Sequence, residues 1–207
     1  MFSDQDLQVM DSIIKRYPRS RSAIMPLLHY VQSKAGYVTN EGIELIAQLL
    51  TIETAEVSAV ATFYTQYKRK PVGEYHVGVC TNTLCAVMGG DAIFAGLKEH
   101  LGIENDGVTA DGKVSLEHIE CNAACDYAPV VMANWEFYDN QTVQSSKDLV
   151  DAMRQGNPPA PTRGPKTLPT WRENSAVLAG INDGRANEGV QAGEPTLLGL
   201  KLSKEGK

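Results

Sequence analysis

Four cysteines occur in this chain, and they form two close pairs. Cys80 and Cys85 are separated by four residues, and Cys121 and Cys125 by three. Each pair follows a segment that predicts a β-strand, so we expect both loops to open at the same end of a sheet. The pattern therefore predicts one site of four sulfur atoms, and the fold has to bring the two loops together.

The segments around the cysteines predict a thioredoxin-like α/β domain at 71–156. Tyr75, Val77 and Val79 alternate with small or polar residues, which is typical of a strand. The expected order of strand, helix, three strands and helix is that of a thioredoxin-like domain. The elements after the first strand are a helix following Gly89-Gly90-Asp91, a strand at 114–120, hairpin arms at 130–133 and 136–138, and a helix from Ser145 or Ser146 to Gly156.

Residues 1–70 predict a small antiparallel helical bundle. Apolar residues recur at helical spacing, as at Leu7, Met10 and Ile14, and this period repeats in four short segments. The fold class expected for the whole chain is α+β. It combines the helical bundle, the thioredoxin-like domain and a C-terminal tail at 157–207.

The tail is expected to be extended. It contains six of the ten prolines, so long helices or strands are not expected there, and it has too little core to fold alone. Spaced apolar residues indicate anchors that become ordered on a partner protein. These anchors are Leu168, Trp171, Val177, Leu178, Ile181, Leu197, Leu198 and Leu200.

Several chemistries compete for the four cysteines. The acidic start Met-Phe-Ser-Asp-Gln-Asp is unlike a signal peptide, so a reducing cytosolic setting disfavours structural disulfides. A catalytic dithiol has two intervening residues, which neither pair shows. Structural zinc accepts gaps of two to four residues, so spacing alone leaves zinc and an iron–sulfur cluster close to even. A four-residue gap is known from [2Fe–2S] ferredoxin loops, and two irons suit wide gaps better than one ion does.

The residues near the cysteines favour the iron–sulfur cluster. An oxidised [2Fe–2S] cluster with four thiolates is an anion, so it needs hydrogen-bond donors. Gly89 and Gly90, beside the start of a helix, let backbone N–H groups approach, and polar side chains at 81–83 add further donors. Asp126 beside Cys125 disfavours the addition of an electron, so we expect a low reduction potential.

Other functional classes receive little support. The formal net charge of −6 argues against broad nucleic-acid binding. The sequence contains no run of about 18 uncharged apolar residues, so we do not expect direct insertion into a membrane. No glycine-rich loop follows a strand as a dinucleotide site requires, so we do not expect this chain to bind FMN or NADH. No residue is assigned a catalytic role, and structural or solvent roles are expected for His29, His76, His100 and His118.

Short motifs in both folded regions point to a family. They are Tyr17-Pro18, Ser22-Ala23, Pro26-Leu27-Leu28-His29, Gln32, Gly36-Tyr37-Val38 and Ala61-Thr62-Phe63-Tyr64 in the helical part, and Cys80-Thr81, Cys85, Gly89, Glu120-Cys121, Ala124-Cys125-Asp126 and Ala128-Pro129 in the sheet part. With these motifs the chain resembles, over most of its length, the thioredoxin-like [2Fe–2S] ferredoxin family in the form found in respiratory complex I. The family tends to have Leu-Gly where this chain has Asn122-Ala123.

The resemblance implies that Cys80, Cys85, Cys121 and Cys125 bind one [2Fe–2S] cluster. It implies an electron-transfer subunit of the NADH dehydrogenase module of NADH:quinone oxidoreductase, which does not itself transfer hydride. The cluster would exchange electrons with the FMN of a neighbouring subunit that binds FMN and NADH, and the tail would wrap that subunit. The large iron–sulfur subunit of the same arm would be a second partner. The assembly would be cytoplasmic and peripheral to the inner face of the plasma membrane.

Other functions stay open at this point. The equivalent diaphorase subunit of an NAD-linked hydrogenase or formate dehydrogenase would meet a similar flavin subunit. A zinc-stabilised structural adaptor would only hold an assembly together. A disulfide oxidoreductase would turn over small disulfides.

Metal analysis separates the iron–sulfur and zinc hypotheses. Protein purified without oxygen is expected to be reddish and to contain about two irons and two inorganic sulfides per chain, because four thiolates complete the ligands of one [2Fe–2S] cluster. Colourless protein with a single zinc ion would contradict this expectation.

Overall fold

A computed structural model describes residues 2–190 and 192–206 of the chain. The helices are α1 (Asp4–Ile14), α2 (Ile24–Ala35), α3 (Asn40–Leu50), α4 (Thr54–Phe63), α5 (Thr83–Val87), α6 (Gly90–Leu101), α7 (Val143–Arg154), α8 (Trp171–Leu178) and α9 (Glu194–Lys204). The strands are β1 (Tyr75–Cys80), β2 (Gly107–Val108), β3 (Val114–Ile119), β4 (Val131–Ala133) and β5 (Glu136–Tyr138), and 3-10 turns lie at Ser20–Ala23 and Cys125–Tyr127.

The chain divides into two compact units, and each contains segments that are distant in sequence. The first unit extends to Val72 and includes Thr170–Asp183. The second comprises Gly73–Pro169 and the segment from Gly184 onward. The tail predicted at 157–207 is therefore shared between the two units.

The first unit is a helical bundle built around α2, which contacts α1, α3, α4 and α8. Leu27, Leu28 and Val31 of α2 are fully buried in its core. Gly42 of α3 packs so closely on the Val31 side chain that a β-carbon at this position would overlap it. Helix α2 ends at Gly36, whose φ of +86° is readily adopted by glycine and lets the chain turn away.

The second unit contains a five-stranded sheet in the order β2-β3-β1-β4-β5. Strand β1 pairs in parallel with β3, so that Cys80 lies opposite Ile119, and it pairs antiparallel with β4, so that Val79 lies opposite Val131. Apolar residues of α6 and α7 pack with those of the sheet in a single core. The central position of β1 fixes the place where the first cysteine loop begins.

The α+β fold class and most of its elements are as the sequence predicts. The four helices of the bundle are present, and β1, α6, β3, the β4–β5 hairpin and α7 follow in the expected order. The sequence does not predict helix α5 and strand β2, because elements this short do not carry a readable period. Within residues 2–190 and 192–206, none of the helices is both long and apolar enough to span a bilayer.

The tail differs from the extended segment that the sequence predicts, because it contains α8 and α9. Its prolines do not interrupt these helices. Five of them lie at 158–169, and Pro195 falls in the first turn of α9, where a missing N–H breaks no helical hydrogen bond. The start of α8 is fixed by Thr170, whose hydroxyl accepts a hydrogen bond from the Glu173 N–H.

The predicted apolar anchors of the tail fall into two groups. Leu168 and Trp171 are buried within the chain itself. The Trp171 indole N–H donates to the Gly36 carbonyl at 2.8 Å, so this part of the tail closes the end of α2. Val177 and Ile181 are half-buried, whereas Leu178, Leu197, Leu198 and Leu200 are exposed.

Replacing Trp171 tests the tail's contribution to the helical unit. Trp171→Ala is expected to lower the free energy of unfolding of this unit by about 3–5 kcal/mol, because it removes a fully buried side chain. Urea unfolding followed by far-ultraviolet circular dichroism measures the change. Leu178→Ala in the same helix is the control, and its 38% exposure predicts a change of about 1 kcal/mol or less. Equal effects of the two variants would contradict the anchoring role of Trp171.

Candidate metal centre

The two cysteine pairs lie at the same end of the sheet. Cys80 is the last residue of β1, and its partner in the parallel register is Ile119, the last residue of β3. Cys121 follows shortly after Ile119, Cys85 lies in α5, and Cys125 begins a 3-10 turn. Both cysteine loops therefore leave the sheet where its two parallel strands end.

The four thiols form an inner and an outer pair. Cys80 and Cys85 are only 2% and 3% exposed, whereas Cys121 and Cys125 are exposed, and all four are free thiols. The Sγ atoms of Cys121 and Cys125 are 3.9 Å apart. Two sulfurs at about 2.3 Å from one tetrahedral ion would be about 3.8 Å apart. The outer pair therefore already has the spacing of two ligands on one metal ion.

Electrostatic interactions connect the two pairs. Burial, then hydrogen bonding and charge interaction with Cys80 and the charge of Cys125, raise the pKa of the Cys85 thiol to about 11. The pKa of Cys125 is also raised, first by its hydrogen bond to Cys121 and the charge there, and further by burial and by Cys80. Metal binding requires thiolates, whose negative charges repel each other. A positively charged metal core would offset the repulsion between the thiolates, and its binding would release protons.

Backbone groups act on one sulfur of each pair. A hydrogen bond from the Val130 backbone lowers the pKa of the Cys85 thiol, and the N–H of Ala123 donates to Cys121 Sγ at 3.4 Å. Ala123 adopts a φ of +55°, in the left-handed region that costs a non-glycine residue about 1–2 kcal/mol. Here the chain has alanine where the resemblance implies glycine, and the N–H nevertheless reaches the sulfur.

The donors that the sequence suggests make other contacts. The Gly89 N–H donates to the Ala86 carbonyl. The Asn82 side chain donates to the Ile119 carbonyl at 3.1 Å, which ties the first cysteine loop to the end of β3. The sequence does not predict Val130 as a donor, because its place depends on the pairing of the hairpin with β1. Prediction of the antiparallel register between the hairpin and β1 would have placed Val130 beside the first cysteine loop.

The arrangement of the thiols fits a [2Fe–2S] cluster. Such a cluster needs two thiolates on each of two irons, and its potential responds to hydrogen bonds at the sulfurs. The chain offers two pairs of thiols at one end of the sheet, with a backbone donor at one sulfur of each pair. In the part of the chain that the structure describes, no three His, Cys, Asp or Glu side chains are grouped around a single-ion site.

The histidines make contacts consistent with the structural roles expected for them. Burial lowers the pKa of His29 to about 4, so its ring is neutral at physiological pH. His76 Nε2 lies 2.9 Å from the Glu117 carboxylate, and His100 Nε2 lies 2.8 Å from Asp151. These pairs join β1 to β3 and α6 to α7, so no local sequence spacing could have shown them.

Comparison with known proteins gives matches to one family and one related fold. A sequence model described as thioredoxin-like [2Fe-2S] ferredoxin matches residues 10–154. The chain is 59% identical over 194 residues to the E subunit of NADH-quinone oxidoreductase from Mycobacterium bovis, which covers 93% of this chain and 77% of that protein. The protein of the same name from Rickettsia bellii is 41% identical over 156 residues, covering 74% of this chain and 93% of that protein. Among solved structures, an NAD+-reducing [NiFe]-hydrogenase in the H2-reduced state has a TM-score of 0.56 at 17% identity, covering 65% of this chain and 23% of that chain.

Substitution of Gly90 tests the packing that positions the first cysteine loop. A β-carbon at Gly90 would lie 2.5 Å from the Cys80 carbonyl oxygen and 2.9 Å from that of Cys85. Gly90→Ala is therefore expected to displace the loop, to cost about 1–3 kcal/mol of stability and to lower the iron content per chain. Gly199→Ala is the control, since its added methyl group would meet nothing within 4 Å. Full iron content in Gly90→Ala would contradict this role.

Proposed function

The chain belongs to the thioredoxin-like [2Fe-2S] ferredoxin family, and from this premise we propose that it is the electron-transfer subunit of the NADH dehydrogenase module of respiratory complex I. In this proposal Cys80, Cys85, Cys121 and Cys125 bind one [2Fe–2S] cluster, which stores and releases a single electron. The observation that carries the proposal is that both cysteine loops leave the sheet where β1 and β3 end, with Cys80 near enough to Cys125 for their charges to interact. The 59% identity to the NADH-quinone oxidoreductase protein of Mycobacterium bovis supports complex I as the setting.

The inner and outer cysteines have different tasks in this proposal. Cys80 and Cys85 are buried in a small apolar cluster that includes Ile119 and Val130. This low-dielectric environment excludes water and disfavours added negative charge, which agrees with a low potential. Cys121 and Cys125 are exposed, so this edge of the site can approach a redox partner closely.

The redox partner we propose is a subunit that binds FMN and NADH. A flavin that has accepted hydride holds two electrons, whereas the site in this chain takes one. Exposed apolar side chains lie in and directly after the first cysteine loop, at Leu84, Val87 and Met88, and Val87 is 80% exposed. Covering them with a partner protein would bury apolar surface and exclude water beside the cysteines. FMN and NADH are assigned to that partner and not to this chain.

The exposed leucines of α9 support a role for the tail in binding the same partner. Helix α9 has no buried residue, and its outward side chains include Leu197, Leu198, Leu200 and Leu202. Since Trp171 is used inside the helical unit, we assign the partner-wrapping role to the segment around α9 and not to all of 157–207. The large iron–sulfur subunit of the same arm is the second partner we propose, in an assembly peripheral to the inner, cytoplasmic face of the plasma membrane.

A diaphorase subunit of an NAD-linked hydrogenase is the second candidate function. The fold likeness to an NAD+-reducing [NiFe]-hydrogenase favours it, although an identity of 17% establishes the fold alone. Purification of the native assembly separates the candidates by its other subunits, which would include a quinone-reducing arm in one case and a nickel-containing subunit in the other.

Cysteine substitutions test the proposed ligand set in the native assembly. Cys85→Ser and Cys121→Ser are each expected to abolish or strongly weaken the electron paramagnetic resonance signal of a reduced [2Fe–2S] cluster in this subunit, because each removes one thiolate ligand. The helical unit should keep its far-ultraviolet circular dichroism. Thr83→Ser in the same loop is the control and should keep the signal. An unchanged signal in both cysteine variants would overturn the ligand assignment.

A further inference from the structure

The second cysteine loop is held by a segment from the far end of the chain. Thr196, in the first turn of α9, donates its hydroxyl hydrogen to Asp126 Oδ2 at 2.6 Å. The same hydroxyl oxygen lies 3.4 Å from the hydroxyl of Tyr127. Asp126 and Tyr127 directly follow Cys125 in its 3-10 turn. One side chain of α9 therefore contacts both residues that follow a proposed ligand.

The segment before α9 is fixed to the same unit by backbone contacts. The Gly164 N–H donates to the Val190 carbonyl at 3.1 Å. Gly189 packs so closely against the Gly164 carbonyl that a β-carbon would overlap it, and Gly193 does the same against the hydroxyl of Tyr127. Gly189 and Gly193 thus allow the segment before α9 to pack directly on Gly164 and Tyr127. We refer to residues 184–190 and 192–206 as the C-terminal latch.

Arg163 supports the same turn from within the unit. Its guanidinium makes two hydrogen bonds to the Asp139 carboxylate, from Nε at 2.9 Å and from Nη2 at 3.0 Å. The guanidinium carbon also lies 4.7 Å from the centre of the Tyr127 ring and 4.1 Å from that of Phe137. A cation at this distance is attracted to an aromatic ring. Tyr127 is therefore contacted by Arg163 as well as by the latch, so the turn after Cys125 is held at two points.

Core packing does not explain the position of α9, because the helix has no buried residue. The described contacts of its first turn with the cysteine loop are polar and involve a carboxylate. A hydrogen-bond donor and the positive end of a helix both lower the energy of a nearby negative charge. Here that charge is the Asp126 carboxylate, which belongs to the residue after Cys125 and is near enough for its charge to act on the Cys125 thiol.

We infer that the C-terminal latch, acting through Thr196, positions the turn after Cys125 and raises the reduction potential of the centre that Cys125 helps to bind. The hydroxyl of Thr196 offsets the charge of Asp126, so an added electron meets less repulsion than it would beside a bare carboxylate. Thr196 is a positioning residue, since it acts through Asp126 and Tyr127. The inference rests on the proposed function, because it requires a redox centre at the cysteines.

The test uses the full-length protein with its cluster bound. Thr196→Val removes the hydroxyl at nearly constant shape, and Thr196→Ser restores it. Ser203→Ala removes a hydroxyl elsewhere in α9 and is the matched control. The midpoint potential is measured by redox titration monitored by electron paramagnetic resonance, and retention of the cluster is measured as the rate of bleaching by an iron chelator.

Thr196→Val is expected to disfavour reduction about two- to fivefold, which corresponds to a midpoint potential about 18–41 mV lower for one electron. Bleaching by the chelator should be at least about twofold faster, because the turn after Cys125 is less firmly held. Thr196→Ser and Ser203→Ala should match the wild type in both measurements.

An unchanged potential in Thr196→Val overturns the inference, and so does an equal shift in Ser203→Ala. Faster bleaching with an unchanged potential also overturns it, because Thr196 would then be only a structural support. These outcomes are distinct from a failure of the proposed function, in which the wild-type protein itself would contain no [2Fe–2S] cluster.

Discussion

The parallel pairing of β1 with β3 is the constraint on which the candidate site depends. In a parallel pair both strands end at the same edge, so the loops that follow them start as neighbours. Cys80 is paired with Ile119, and Cys121 follows Ile119 by two residues. The second cysteine loop therefore begins beside the first. Helix α6 lies in the connection between the two strands, and Gly90 lets this helix begin directly against the Cys80 and Cys85 carbonyl oxygens. The site is thus a product of topology, to which the loops add only a few local contacts.

The second constraint is the accumulation of negative charge. Burial and charge interactions with neighbouring cysteines raise the pKa of Cys85, and the hydrogen bond and charge of Cys121 are the main causes that raise the pKa of Cys125. The Ala123 N–H donates to Cys121 Sγ, and a hydrogen bond from the Val130 backbone lowers the pKa of Cys85; in the proposed function, a bound cluster would supply further positive charge. In the proposed function, the negative charge of the thiolates would disfavour an added electron, which agrees with a low reduction potential.

Much of the fold could be predicted from the sequence, because the period of apolar residues identifies the longer helices and strands. The thiols could be assigned to two loops at one end of the sheet for the same reason. The donors Val130 and Ala123 could not be predicted, since one depends on the register of a hairpin and the other on a left-handed backbone conformation of a residue that rarely adopts it. The prolines of the tail predict an extended segment. Only their positions, outside α8 and in the first turn of α9, show that helices are compatible with them.

The use of Trp171 inside the helical unit has a consequence for the order in which the protein is made. The bundle begins with α1, but its α8 helix and the indole that closes the end of α2 follow all the strands β1–β5 in sequence. A ribosome releases these residues after β1–β5 and before the segment that contains α9. Part of the apolar surface of the first helices therefore stays exposed until α8 has been synthesised. The first helices to be synthesised therefore complete their packing only after the strands have emerged.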